Sequence, residues 1–175
     1  MSRGNTRTFR YIVIVLSIVV VDAVTKSLTN SYIPMISGAY AVYPYGGIGV
    51  FSDFFGIQLS INYVANTGAL WGLFPDFQIY LVIVRLIVIG SMIIYAFFYN
   101  KNHKVYLPLV VIISGAIGNV MDVFLYGHVV DMVNFSFWGY NYPVFNVADS
   151  CICVGALWLM AIIAFDNKAG SEGVS

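Results

Sequence analysis

Two carboxylates stand out in this chain for the chemistry their setting allows. Asp131 lies in Gly127-His128-Val129-Val130-Asp131 and Asp149 in Phe145-Asn146-Val147-Ala148-Asp149-Ser150, on either side of a short aromatic loop between two very apolar segments. A carboxylate at the mouth of a membrane helix is energetically expensive. Two of them, carried to the same membrane face by a hairpin of helices, can share one proton and activate a water, which is how paired aspartates hydrolyse peptide bonds. Spacing alone leaves open whether the two approach each other.

Their local settings differ in a useful way. Read as extended chain, the segment after Gly127 puts Asp131 on one face with Val129, Val133 and Phe135, where desolvation favours the protonated acid. Asp149 falls in the first turns of a helix that follows Pro143, where the helix dipole favours the ionised acid. The competing readings are an exposed loop aspartate at 131 and a helix-capping residue at 149.

The elements that must carry these acids are membrane spans. The chain has 175 residues, 60% of them hydrophobic and 9% charged, outside the range of soluble domains. Four stretches approach the ~20 residues that a spanning helix needs: roughly Tyr11 to Leu28, Gln78 to Tyr99, Val105 to Tyr126 and Pro143 to Phe165. A β-rich outer segment of about 31–77 and a flexible tail of 166–175 complete a single integral membrane domain. Arg3, Arg7 and Arg10 before the first apolar run resemble a signal-peptide flank. Asp22 and Lys26, spaced i, i+4 on one helix face, instead suit a retained helix in a bundle.

Basic residues set the orientation. Arg3, Arg7 and Arg10 precede the first span, Lys101 and Lys104 join the second to the third, and Lys168 follows the fourth, while 32–77 and 127–142 contain no Lys or Arg. Both termini are therefore expected in the cytoplasm. Formal net charge is zero, and no basic patch with interleaved aromatics suggests a nucleic-acid partner. Cys151 and Cys153 point in different directions on a helix and are expected to be packing residues.

Within the outer segment, Ile57-Gln58-Leu59-Ser60-Ile61-Asn62-Tyr63 alternates apolar and polar residues, the period of a half-buried strand. With Tyr40, Tyr43, Tyr45, Phe51, Phe54 and Phe55 nearby, it reads either as a small sheet at the outer membrane interface or as a plain aromatic loop.

Polar groups inside the spans form one layer. Asp22 and Lys26, Arg85, Asn119 and Asp122, and Asn146 and Asp149 all fall toward the outer ends of their helices, and the inner halves are almost purely apolar. A carrier or channel needs polar groups near the midplane and often shows an internal repeat; neither is present. The layer favours chemistry at the outer boundary. Asp122, at i+3 from Asn119, is expected to be neutralised by Lys26 or Arg85 and to tie helices together. Ser114 and Gly118 have the small-xxx-small spacing of a close helix contact, His128 is read as a hydrogen-bonded bystander, and Asn66-Thr67-Gly68-Ala69 as a turn able to present polar groups.

Taken together, the chain resembles the lipoprotein signal peptidase (signal peptidase II) family of bacterial inner membranes. The resemblance rests on Asp22-xxx-Lys26, Asn66-x-Gly68, Gly118-Asn119-xx-Asp122, Val129-Val130-Asp131 and Phe145-Asn146-x-Ala148-Asp149-Ser150. It implies four transmembrane helices with an extracytoplasmic β-cradle, and Asp131 and Asp149 as a catalytic pair. It also implies that Asn66, Gly68, Asn119, Asp122, Asn146, Ala148, Asp22 and Lys26 support the site or its ligands. The implied substrates are prolipoproteins whose lipobox cysteine carries diacylglycerol, cut just before that cysteine. No metal or organic cofactor is implied; membrane lipid is the other partner, globomycin the inhibitor, and a monomer the expected state. In one place the chain departs from the pattern: the family's helix-three motif usually ends in Asp-Arg, and here Val123 follows Asp122. The alternatives are an inactive relative, or a non-enzymatic assembly or lipid-binding module.

Overall fold

The computed structural model describes residues 3–36, 42–68 and 77–172. Tyr40 and Ala69 lie outside them. In chain order the elements are α1 (Arg3–Tyr32), β1 (Ile48–Phe54), β2 (Ile57–Asn66), α2 (Gln78–Ile94), α3 (Tyr106–Tyr126), β3 (Val129–Phe137), β4 (Tyr140–Asn141) and α4 (Val147–Glu172). Among the described residues four helices are long and apolar enough to cross a membrane, one in each expected stretch.

The helix ends differ from the expected spans for physical reasons. Hydropathy marks only the apolar run, whereas backbone hydrogen bonds continue into polar flanks, so α1 extends beyond 11–28 in both directions. The last turn of α2 widens into a π-helical turn, Tyr95–Tyr99, closed by the Asn100 N–H donating to the Tyr95 carbonyl at 2.8 Å. α4 begins at Val147 rather than 143 because Asn146 caps it, and it continues helically to Glu172 through residues read from sequence as tail.

One antiparallel sheet, in the order β1-β2-β3-β4, is assembled from two separate loops. Among the described residues the outer segment supplies β1 and β2, and β3 and β4 come from between α3 and α4. β2 pairs with β3 from Ile57↔Phe137 to Asn66↔Val129, with a bulge between Ile61↔Val133 and Val64↔Asp131.

The period-two alternation of β2 is present, but its polar side faces inward. Ser60 and Asn62 are 0% exposed. Ser60 Oγ donates to Asn62 Oδ1 at 2.6 Å, and Asn62 Nδ2 donates to the carbonyls of Pro44 and Tyr45 at 3.0 and 2.9 Å. On β3, Asn134 and Ser136 are likewise buried. The other side carries the cross-strand pairs Leu59↔Phe135 and Ile61↔Val133, all half-buried. Hairpin tips end in Phe55, 83% exposed, and Trp138, 79% exposed. In water this arrangement would be costly; against lipid it is favourable.

α3 is the central helix, burying Leu109, Ile112, Ile113, Val120 and Asp122 among others. It approaches α4 closely enough that a Cβ on Gly115 would sit 2.4 Å from the Ala148 carbonyl oxygen, and on its α1 side a Cβ on Gly118 would meet the Asp22 carboxylate, Oδ2, at 2.5 Å. The sequence spacing points to Ser114 and Gly118; the close backbone approach to α4 is made by Gly115, while Gly118 leaves room for the Asp22 side chain. At the end of the bundle away from the sheet, Tyr11 stacks on Tyr106 and Lys104 Nζ meets Asp166 Oδ1 at 3.0 Å.

Candidate active site

The first turn of α4 is built by reciprocal capping. Asn146 Oδ1 accepts from the Asp149 N–H at 2.8 Å, and Asp149 Oδ2 accepts from the Asn146 N–H at 3.3 Å, satisfying donors that a helix start leaves orphaned. Asp149 is thus both part of a cap and a site carboxylate, whose Oδ1 also accepts from Asn119 Nδ2 at 2.8 Å. The Ala148 N–H donates to Asp22 Oδ1 at 2.8 Å. Ala148 itself is fully buried.

Asp131 enters from β3, next to the bulge in β2, a device that re-aims side chains near functional sites. Its Oδ2 accepts from Asn66 Nδ2 at 2.9 Å and its Oδ1 from Asn146 Nδ2 at 2.8 Å. Asn66 in turn accepts the Gly68 N–H at 3.0 Å, fixing the turn after β2. Burial, and then the neighbouring charge of Asp149, push the Asp131 carboxyl up to about 7, against the hydrogen bonds from Asn66 and Asn146. Asp131 therefore holds a proton at a pH where ordinary aspartates have lost theirs.

Beneath these acids lies a buried ionic frame. Lys26 is 0% exposed, with its Nζ 2.7 Å from Asp22 Oδ2, 2.7 Å from Asp122 Oδ2 and 3.0 Å from Asn119 Oδ1. The bond to Asn119 is a hydrogen bond and the contacts with Asp22 and Asp122 are ion pairs, with Asp22 Oδ2 held by charge alone. Asp122 Oδ2 also accepts from the Val130 N–H at 3.1 Å, tying α3 to the start of β3. Of the two cations expected as Asp122's partner, Lys26 fills that place and Arg85 does not. Arg85 Nη2 donates instead to the Gly68 carbonyl at 3.1 Å.

The expected residues separate into two groups. Asn66, Asn119, Asp131 and Asp149 line a cleft of about 660 Å³, whereas Asp22, Lys26, Asp122, Asn146 and Ala148 form the frame behind it. Gly68 is tied to the cleft through Asn66 and Arg85. The cleft also takes in Arg85 and an aromatic wall of Tyr142 and Phe145. Sequence reasoning had not assigned that wall, although both rings flank the Asn146 motif. Cys153 is exposed and also lines the cleft, unlike the packing residue expected; Cys151 is half-buried. His128 is hydrogen-bonded as expected, its Nε2 lying 2.9 Å from the Tyr63 hydroxyl. Among the described residues no three His, Cys, Asp or Glu side chains converge as a metal set.

Four spanning helices, a sheet gathered from two loops at one end and two aspartates lining one cleft define a multi-pass membrane protein with a carboxylate-lined cleft. The chain belongs to the signal peptidase II family: the family model described as Signal peptidase (SPase) II matches residues 14–165. It is therefore a protease. It is 40% identical over 113 residues to the lipoprotein signal peptidase of Chlamydia pneumoniae, an alignment covering 63% of this chain and 67% of that one. Against the Staphylococcus carnosus lipoprotein signal peptidase, identity is 28% over 159 residues, covering 89% and 90%. Two solved structures of bacterial membrane enzymes share the fold. One aligns with a TM-score of 0.73 at 23% identity over 90% of this chain and 89% of that one; the other has a TM-score of 0.70 at 25% identity over 88% and 92%.

Proposed function

We propose that this protease is an aspartic endopeptidase. It removes the signal peptide from prolipoproteins by cutting just before the diacylglyceryl-modified cysteine, with Asp131 and Asp149 as its acid–base pair. The observation that carries this reading is the shared anchorage of the two acids: Asn146 donates through its side chain to Asp131 and through its backbone to Asp149. One residue thus holds both carboxyls against a single cleft.

The pair holds one proton near neutrality. Its ionised member takes a proton from a water attacking the peptide carbonyl, and its protonated member donates to the carbonyl oxygen. Roles exchange as the tetrahedral species collapses onto the departing amine, with no covalent enzyme intermediate. Because the acids are coupled, the proton belongs to the pair.

The cleft lies at the sheet end of the bundle, which this reading places at the outer leaflet of the bacterial cytoplasmic membrane, with both termini cytoplasmic. That depth lets the substrate's acyl chains stay in lipid while the scissile bond reaches the acids. The working unit is a monomer.

The test is cleavage of two synthetic lipobox peptides, one diacylated on cysteine and one bare, by the purified protein. Mass spectrometry should find cleavage before the modified cysteine, with the bare peptide a poor substrate. Equal turnover of both, or cleavage elsewhere, would refute the assigned specificity.

A further inference from the structure

We propose that Arg85 is a substrate-binding residue of the cleft, its guanidinium taking main-chain carbonyl oxygens of the bound signal segment on the wall facing α4. This rests on the endopeptidase reading and adds to it a residue that the capping network does not include.

A guanidinium inside a spanning helix is costly and needs an occupation. Arg85 sits in α2, half-buried, and lines the same cleft as Asp131 and Asp149. Among the described residues it makes no ion pair: Asp22 and Asp122 pair with Lys26 and Asp166 with Lys104, while Asp149 and Asp131, in the same cleft, stand beyond ion-pair distance but within reach of its charge. Lys26 is enclosed by Asp22, Asp122 and Asn119, is fully buried and does not line the cleft. Arg85 is different: it carries five N–H donors and gives one of them to the Gly68 carbonyl at 3.1 Å. That bond fixes the fork at the end of β2, next to Asn66, which holds Asp131.

The opposite wall explains what the fork meets. α4 brings Asp149, Ser150 and Ile152 to the cleft, with Phe145 beside them, and Ser150 Oγ is spent on the Asn146 carbonyl at 3.0 Å. An extended peptide entering such a cleft loses water from its carbonyls and needs donors in return. Asn66 and Asn119 already give side-chain N–H groups to the two acids. Arg85 supplies several N–H donors in one fixed plane, able to meet more than one carbonyl oxygen at a time. Since it bonds neither acid, its hold on the substrate is present before and during reaction and appears in KM; because its charge also acts on Asp149 and Asp131, kcat is read at each protein's own pH optimum.

The experiment uses the purified full chain and the diacylated lipobox peptide. Parent, Arg85→Lys and Arg85→Gln are compared in turnover, and the same Arg85 changes are made in an Asp131→Asn background, where binding of the fluorescently labelled peptide is titrated directly. Arg85→Gln should raise KM about tenfold or more, the usual weight of a charge-assisted bond, and leave kcat within about twofold. It should weaken peptide binding to the Asp131→Asn protein by a similar factor, with Arg85→Lys between the two. Unchanged KM and unchanged peptide affinity in Arg85→Gln would overturn the proposal, as would a fall in kcat alone. If Arg85→Gln melts early, Arg85→Lys decides: a raised KM at the parental melting temperature supports the proposal, and parental KM refutes it. Absence of cleavage by the parent, with peptide binding still lost in Arg85→Gln, would remove the endopeptidase reading and leave Arg85 a peptide-binding residue.

Discussion

The side-chain amide of Asn146 lies 2.8 Å from Oδ1 of Asp131. The same residue caps α4, so the helix that carries Asp149 and the strand that carries Asp131 meet at a single asparagine. Replacing it with alanine removes the cap, worth about 1 kcal/mol, and the bond that orients Asp131. Asn146→Ala should lower kcat at least tenfold with a modest drop in melting temperature, since a 1 Å misplacement of reacting groups costs about 10²-fold. Parental kcat in this variant would mean that the acids are positioned by other contacts.

Lys26 sits between two buried acids, Asp22 and Asp122. Lys26→Met keeps the volume and leaves both acids without their cation, which should destabilise the fold by about 3–5 kcal/mol. Thermal unfolding in detergent reads this directly. Arg85→Met should melt close to the parent, because Arg85 makes no ion pair within the frame. The opposite ranking would contradict the assignment of Lys26 as the central cation.

Activity should fall as pH rises through about 7, where the Asp131 carboxyl gives up its proton. The hydrogen bond from Asn66 favours the ionised form, so Asn66→Ala should move this alkaline limb upward. Stability follows the same sign. A folded pKa above the unfolded one gives a contribution that is full below about 4 and lost as pH rises through the folded value. The melting temperature of the parent should therefore decline more between acid and neutral pH than that of Asp131→Asn. A downward shift of the limb in Asn66→Ala would show that Asn66 stabilises the protonated acid instead.

Orientation is checked by labelling. In a Cys151→Ser, Cys153→Ser background, Tyr45→Cys and Tyr140→Cys should react with a membrane-impermeant maleimide on intact cells, because 32–77 and 127–142 carry no Lys or Arg. Labelling that requires broken membranes would put the cleft on the cytoplasmic side.

Much of this architecture can be read from local pattern. Asp22 and Lys26 announce their pairing by i, i+4 spacing, and hydropathy locates all four spans. The acids are marked by their place at the ends of apolar segments. Pattern fails where the deciding contact is between distant residues. Nothing near Val129 states that it will pair with Asn66, since strand register is a long-range property. The inward side of β2 is also hidden, because alternation gives the period of Ser60 and Asn62 but not which side meets lipid. The double role of Asn146 is invisible for a related reason: one bond is local, to Asp149, and the other reaches another element. Arg85 was visible as a costly cation in a span, while its nearest acceptor, the Gly68 carbonyl, became known only from the fold.

The central claim is that Asp131 and Asp149 together perform the hydrolysis, and the most direct measurement is the turnover of the diacylated lipobox peptide by Asp131→Asn and Asp149→Asn. Asparagine preserves shape and one of the two hydrogen bonds that each carboxyl accepts, and it cannot take up or release the proton. Each variant should remain folded, melt near the parent, and lose about 10²–10⁴-fold or more in kcat, with the double variant scarcely worse than either single one, as expected of residues acting as a unit. Parental turnover in either folded single variant would contradict the account.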